Sequence, residues 1–227
     1  MHVMGGGDVG GAKSQIMYTV TGLSRTNDVM LFSFRAGPFA GEARERGIDV
    51  RVIERHNPFR AARTMRDLVD EFKPDIIHCH GGRANLMGAM VRRSRRIPII
   101  TTVHSDYRLD YLGSPLKQHT LGTANAIALR FLDFYQPVAD RMARTLIERG
   151  FDPERIVKIY NGMEFNRPEG EFDRAAYLRE TYGAEIEEGD VLCGIAARLT
   201  AVKDIATTVR GFAEALKTAP QLRLFIA

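Results

Sequence analysis

At 227 residues the chain has room for one large domain, or for one domain and part of a second. Hydrophobic and charged contents of 44% and 26% are those of a soluble globular protein, and no apolar run approaches the roughly 20 residues that span a bilayer. The net charge of +4 is mild, the first residues lack the basic flank and apolar core of a secretory signal, and the two cysteines, Cys79 and Cys193, fall in different α/β units, which suits a reducing cytosol better than a structural disulfide.

Met1 to Met4 is a short apolar strand that enters Gly5-Gly6-Gly7-Asp8-Val9-Gly10-Gly11, and its shortness leaves room for residues missing ahead of it. Ala12 to Leu23 has apolar residues at helical spacing. Val29–Phe34 predicts a second strand, Gly37–Arg46 a short helix closed by Gly47, Val50–Ile53 a third strand, and Phe59–Phe72 a helix stopped before Pro74. Strand four is Asp75–His80, followed by Gly81-Gly82 and a helix over Arg83–Arg93. Strand five is Ile97–His104, continuous and β-branched like a strand buried on both faces. Ser105–Leu132 is polar at first and predicts a helix from Asn125. A short strand at Tyr135–Ala139, a helix at Asp140–Arg149 and a seventh strand at Ile156–Tyr160 complete the series. Asn161-Gly162 then signals a turn, because both residues tolerate positive φ.

This alternation predicts a mostly parallel, doubly wound α/β domain over residues 1–163. Residues 164–188 are polar and predict a linker with a surface helix. Residues 189–227 hold one further strand, helix and strand (Val191–Ala196, Lys203–Leu216, Leu222–Ile226), which cannot cover their own sheet faces. Asn161 and Gly162 thus stand at the hinge between the two series.

Several segments have the residues for chemistry. Gly5, Gly7 and Gly10 satisfy G-x-G-x-x-G between a strand and a helix, with Arg35 where an acidic residue would bind a ribose, so an NADP-binding oxidoreductase is one reading. The same loop narrowly misses a P-loop, and a tight turn without ligand is the plain alternative. In every ligand reading, bare N–H groups at a helix start favour an anion. His78 and His80 face the same way from a strand end, but no third histidine or carboxylate is adjacent in sequence. The expectation is therefore no metal, with His80, Gly81 and Gly82 lining a cleft. His104 closes the most apolar strand at its carboxyl end, where doubly wound sheets bind ligands, and Asp106 adds a polar group to that rim. Arg198 and Lys203 flank a helix start, a pair able to grip a diphosphate. The basic run Arg92–Arg96 suits a solvated helix end first and an anionic lipid surface second. Nucleic acid ranks third, since no aromatic residues interleave.

Taken in order, Gly10-Gly11, Asp75–His80, Thr102-Val103-His104, Ile159–Gly162 and Gly194–Leu199 with Lys203 resemble the retaining glycosyltransferases of family 4, which have the GT-B fold of two Rossmann-like domains. The resemblance implies transfer of a sugar from a nucleotide-diphosphate sugar, a co-substrate, to a saccharide or lipid-linked acceptor with retention, in cell-surface polysaccharide or glycolipid synthesis. It implies no cofactor and no divalent metal, no nucleic acid partner, and a cytoplasmic location with work at the inner membrane face. Gly10 and Gly11 would lie near the donor phosphates and His104 at the transferred sugar. Arg198 and Lys203 would neutralise the leaving diphosphate. The family's paired C-terminal glutamates have no counterpart before Ala227, so the expectation is a C-terminally incomplete, inactive piece. A non-catalytic ligand-binding or membrane-docking domain, or another GT-B enzyme such as a nucleotide-sugar epimerase, are the alternatives.

Overall fold

Short runs of apolar and β-branched residues, broken by glycine, proline and polar clusters, pair side by side here as parallel strands. In a computed structural model of the chain they are His2–Met4 (β1), Met30–Ser33 (β2), Asp49–Val52 (β3), Ile77–His80 (β4), Ile99–Val103 (β5) and Phe134–Pro137 (β6). All pairings are parallel, and the sheet order is β3-β2-β1-β4-β5-β6. The structure describes residues 1–5, 11–54, 57–110, 114–163, 170–197 and 199–227, with Val202 described by its backbone.

The two-residue period of the strands splits the core between the two faces of the sheet. Val3, Phe32, Ile77, Cys79 and Ile99 pack in one buried cluster with Ala61 and Met65 of Pro58–Phe72 (α3) and Met87 of Gly82–Arg92 (α4). Their neighbours Met4, Leu31 and Val50 pack in a second cluster with Ile16 and Val20 of Gly11–Leu23 (α1) and Phe39 of Pro38–Glu45 (α2). Each large side chain taken fully out of water contributes about 1.5–3 kcal/mol. Local chemistry sets the helix limits. Asn57 caps α3 by accepting from the Phe59 and Arg60 amides at 2.9 and 3.2 Å, Pro58 occupies the first turn, and Lys73 ends the helix in the left-handed conformation ahead of Pro74. Gly88 lets α4 press onto the sheet, since a Cβ there would stand 2.7 Å from Cys79 Sγ.

Three expectations are corrected. The helix expected from Asn125 begins at Pro115. Pro115–Lys117 (α5), a π-helical turn at Gln118–Gly122 and Thr123–Leu129 (α6) run on without a break, started by the Ser114-Pro115 pair. Ile156–Tyr160 is not a strand but makes a single bridge, Tyr135 to Ile156. Val157 N–H donates to Tyr135 O at 2.9 Å and Ile159 N–H to Pro137 O at 3.1 Å. The return bond of the next parallel pair would have to come from Pro137, which has no N–H, so the ladder stays one-sided. Finally, neither Asn161 nor Gly162 has positive φ, and no turn forms there.

The chain divides into two compact units, Met1–Glu164 and Phe165–Ala227. Asp140–Glu148 (α7) follows β6 in the first. In the second, Arg174–Tyr182 (α8) is capped by Asp173, which accepts from the Ala176 amide, and closed by left-handed Gly183. Val191–Ile195 (β7) and Leu222–Ile226 (β8) form a parallel pair joined through Ile205–Ala215 (α9). No helix among the described residues is long and apolar enough to cross a membrane.

Candidate functional site

Strand order in the first unit reverses between β1 and β4, and doubly wound sheets open a crevice at the carboxyl ends of the strands at such a point. β1 runs there toward the glycine loop and α1, β4 ends at His80, and β5 ends just before His104. Gly81 turns the chain out of β4 with φ of 84°, a conformation side chains rarely adopt. Gly82 starts α4 against Asn125, whose Cγ would be 3.1 Å from a Cβ at that position. A small cavity of about 50 Å³ lies beside them, lined among others by Gly81, Gly82, Asn85, His104, Asp110 and Asn125. Beneath it a buried chain of amides fixes three elements together. Thr101 Oγ1 donates to Asn85 Oδ1 at 2.7 Å, and Asn85 Nδ2 donates to Asn125 Oδ1 at 3.0 Å. Asn85 and Asn125 carry no motif, and only the packing of α4 on α6 brings them together.

His104 Nε2 is buried and has no hydrogen-bond partner among the described residues, and burial lowers the pKa of the ring. The imidazole is thus kept neutral at physiological pH, with a nitrogen free for a ligand. His78, His80 and also His2 project from the same sheet face, because β1 pairs with β4 with His2 opposite His78. This corrects the ground on which a metal was set aside: a third histidine, 76 residues away in sequence, stands beside the other two. His2 Nδ1 and His80 Nε2 are 3.2 Å apart, and His78 Nε2 is 2.7 Å from Thr102 Oγ1. Burial lowers the pKa of His78 to about 4 and those of His2 and His80 well below the usual value, with the neighbouring rings adding repulsion.

The remaining expected residues are distributed differently. Asp106 does not line the cavity. Both its oxygens accept from Arg149, at 2.6 and 2.6 Å, and the Arg149 guanidinium lies over the Tyr107 ring, so this carboxylate fastens the β5 loop to the end of α7. The Arg149 hydrogen bonds hold its pKa below the usual carboxylate range. The carboxylate that does line the cavity is Asp110, which accepts from Ser105 Oγ at 2.6 Å. Neighbouring atoms desolvate it and raise its pKa even though the residue surface is exposed. Gly11 is the first residue of α1, with open space where a Cβ would go. Lys13, in the same first turn, is paired with Glu42 at 2.7 Å. Lys203 is exposed, just before α9, in the second unit. Asn161 and Gly162 are exposed shortly before the boundary between the units. Gly10 and Arg198, and Gly7 of the fingerprint, lie outside the described residues. In the basic run, Arg92 pairs with Asp133 and Arg95 with Asp70, while Arg93 and Arg96 make no ion pair among the described residues.

A family profile for Glycosyltransferase Family 4 matches residues 9–167. No curated protein matches the sequence. Among solved structures, the chain is similar to Anabaena Alr3699/HepE in complex with UDP-glucose, with 18% identity and a TM-score of 0.75 over 100% of this chain and 60% of that one. It is similar to the lipopolysaccharide outer core galactosyltransferase WaaB, with 12% identity and a TM-score of 0.65 over 100% of this chain and 68% of that one. The UDP-GlcNAc 2-epimerase from Neisseria meningitidis bound to UDP-GlcNAc is also similar, with 12% identity and a TM-score of 0.58 over 99% of this chain and 64% of that one. Likeness at these identities is a likeness of fold, and the fold is the expected GT-B type with a Rossmann-like parallel sheet. The chain spans about 60% of the length of the HepE structures.

Proposed function

This chain belongs to Glycosyltransferase Family 4, and from that premise we propose that it supplies the acceptor side and one end of the donor-diphosphate site of a retaining sugar transfer. The donor is a nucleotide-diphosphate sugar and the acceptor a saccharide or lipid-linked saccharide of the cell surface. The observation that carries this reading is the buried Nε2 of His104, without a hydrogen-bond partner among the described residues, at the carboxyl end of β5, beside the switch point of the sheet. A neutral imidazole there hydrogen-bonds a hydroxyl of the transferred sugar without bringing a competing charge. Gly11 leaves the start of α1 open to the diphosphate, which helix N-termini favour. Gly10, next to Gly11 in sequence, is assigned to the same diphosphate, and Arg198 and Lys203 to neutralising the charge that grows on it as it leaves. Gly81, Gly82 and the Asn85–Asn125 pair shape the floor of the acceptor side, and Asn161-Gly162 serves as the hinge.

In the reaction the bond from the anomeric carbon to the diphosphate oxygen breaks and a bond to the acceptor oxygen forms on the same face. The acceptor proton passes to the departing phosphate, so no side-chain base is needed. Because the chain spans about 60% of the HepE structures, the 227 residues alone are proposed to bind without turning over. UDP-glucose, present in a HepE structure, is the first donor to try. The test uses the protein purified at its native length from its own cells. His104→Ala should lower kcat by about 100- to 1,000-fold, the usual effect of removing one aimed hydrogen-bond donor. A variant with unchanged transfer overturns the assignment of His104.

A surface groove supports a cytoplasmic protein that works at an anionic membrane. It measures about 640 Å³ between α4 and α6 and is lined by Leu86, Met90, Arg93, Ile127 and Phe131. Ile127 and Phe131 are 56% and 59% exposed. An apolar strip beside an arginine with no ion pair among the described residues suits headgroups and acyl chains together. Sedimentation with phosphatidylglycerol vesicles should carry the protein down, and Arg93→Glu with Phe131→Ser should release it. Equal recovery with neutral vesicles counts against this location.

A further inference from the structure

The register of β1 on β4 brings together three imidazoles, of which the sugar-transfer reading uses at most His80, as a cleft wall. His2 lies opposite His78 and Met4 opposite His80, and residues 78 and 80 share a face. Each ring offers one nitrogen, and the three nitrogens all lie within 4.8 Å of one another. The 3.2 Å between His2 Nδ1 and His80 Nε2 is close to the separation of about 3.3 Å that follows for two nitrogens bound at ~2.0–2.1 Å to one tetrahedral zinc ion. All three residues are buried, and His80 Nδ1 has no hydrogen-bond partner among the described residues. The Thr102 hydroxyl, 2.7 Å from His78 Nε2, orients that ring as outer-shell groups orient metal ligands.

We propose that His2, His78 and His80 bind one transition-metal ion of the zinc type, with water in the fourth position. Three nitrogen donors and no carboxylate select zinc, cobalt, nickel or copper over calcium and magnesium, which seek oxygen. The way in is a groove of about 710 Å³ at the amino ends of the strands. His2 and His78 line it together with Asp28, Asp49, Glu71 and Asp75, beside Lys73. Arg51 holds Asp49 at 2.9 Å and Glu71 at 3.5 Å, which leaves Asp28 and Asp75 as the more available carboxylates. The groove is at the opposite end of the strands from His104. His80, the ligand farthest from the groove, has its ring centroid 6.0 Å from that of His104, so the ion would pin β1 to β4 from directly behind the sugar site.

The 227-residue chain, without a histidine tag and freed of metal by a chelator, is titrated with Co²⁺ alone and followed by visible absorption. One equivalent should bind with the strong visible bands of four-coordinate cobalt, and Zn²⁺ should displace it. His78→Asn and His80→Asn should each weaken binding by more than the roughly 10- to 100-fold that loss of an outer-shell partner causes. His119→Ala, on an exposed turn, should leave it unchanged. Should a buried-histidine variant fail to fold, X-ray absorption on the zinc-loaded parent chain decides instead, and must show three imidazole nitrogens on the metal. Binding of less than about one-tenth of an equivalent, the pale spectrum of six-coordinate cobalt, or affinity that survives both substitutions overturns the proposal.

Discussion

The two units of this chain share one building plan, parallel strands joined through helices, and differ in how far the plan is carried. In the first, six strands have helices on both faces, and Phe32, Ile77 and Ile99 are fully buried. In the second, a two-stranded sheet and its helix bury little, and Ile186 is the one buried apolar residue among those described. The strands themselves are alike in composition. Val191–Ile195 is as apolar as Ile99–Val103, yet Val191 is 47% exposed and Ile99 is not exposed at all. Burial is thus a property of layers stacked on a strand, not of the strand's own residues. What the second unit has in place of a core is polar: Arg223 holds the nearly buried Asp190 at 3.1 Å, and Asp204 caps α9.

Paired substitutions can break this contrast. Phe32→Ala should cost about 3–5 kcal/mol, as for a fully enclosed aromatic, while Phe225→Ala in half-buried β8 should cost less than half as much in urea unfolding. Equal costs would mean that the second unit has a core of its own. Gly88→Ala should destabilise by about 1–3 kcal/mol, because the new methyl meets Cys79 Sγ at 2.7 Å, a contact that overpacks the helix–sheet contact. Gly194→Ala in β7, with open space at its Cβ, should stay within roughly 0.5 kcal/mol.

How much of this was legible beforehand follows the same division. Strand and helix order could be read because each element carries its own period and its own stop, as with Asn57-Pro58 at the head of α3 and Pro74 after its end. The errors concern facts held by a partner element. Ile156–Tyr160 has the pattern of a strand, but its neighbour presents Pro137, which cannot return a hydrogen bond. His2 had no visible tie to His78 until β1 paired with β4. The choice between Asp106 and Asp110 depended on Arg149, which arrives from the far end of α7. The helix start at Pro115 did have a local signal, Ser-Pro, which was outweighed by the polar residues around it.

The Asp106–Arg149 pair provides a smaller effect than the core substitutions, with a pH signature. Arg149 lowers the folded pKa of Asp106, so the pair's contribution is complete above the ordinary carboxylate range and is lost as pH falls through the lowered folded value. Arg149→Met should cost about 1–2 kcal/mol near neutrality. Its urea midpoint should then converge on that of the parent protein in acid. A constant difference at every pH would show that packing on Tyr107, not charge, is what Arg149 supplies.

The most direct measurement of the central claim is the anomeric configuration of the product. The protein, purified at native length from its own cells, is given an α-linked nucleotide-diphosphate sugar such as UDP-glucose and a saccharide acceptor, and the new linkage is read by proton NMR. An α-linked product, lost in His104→Ala, is the predicted result. A β-linked product, or α-linked product formed equally well without His104, would contradict it.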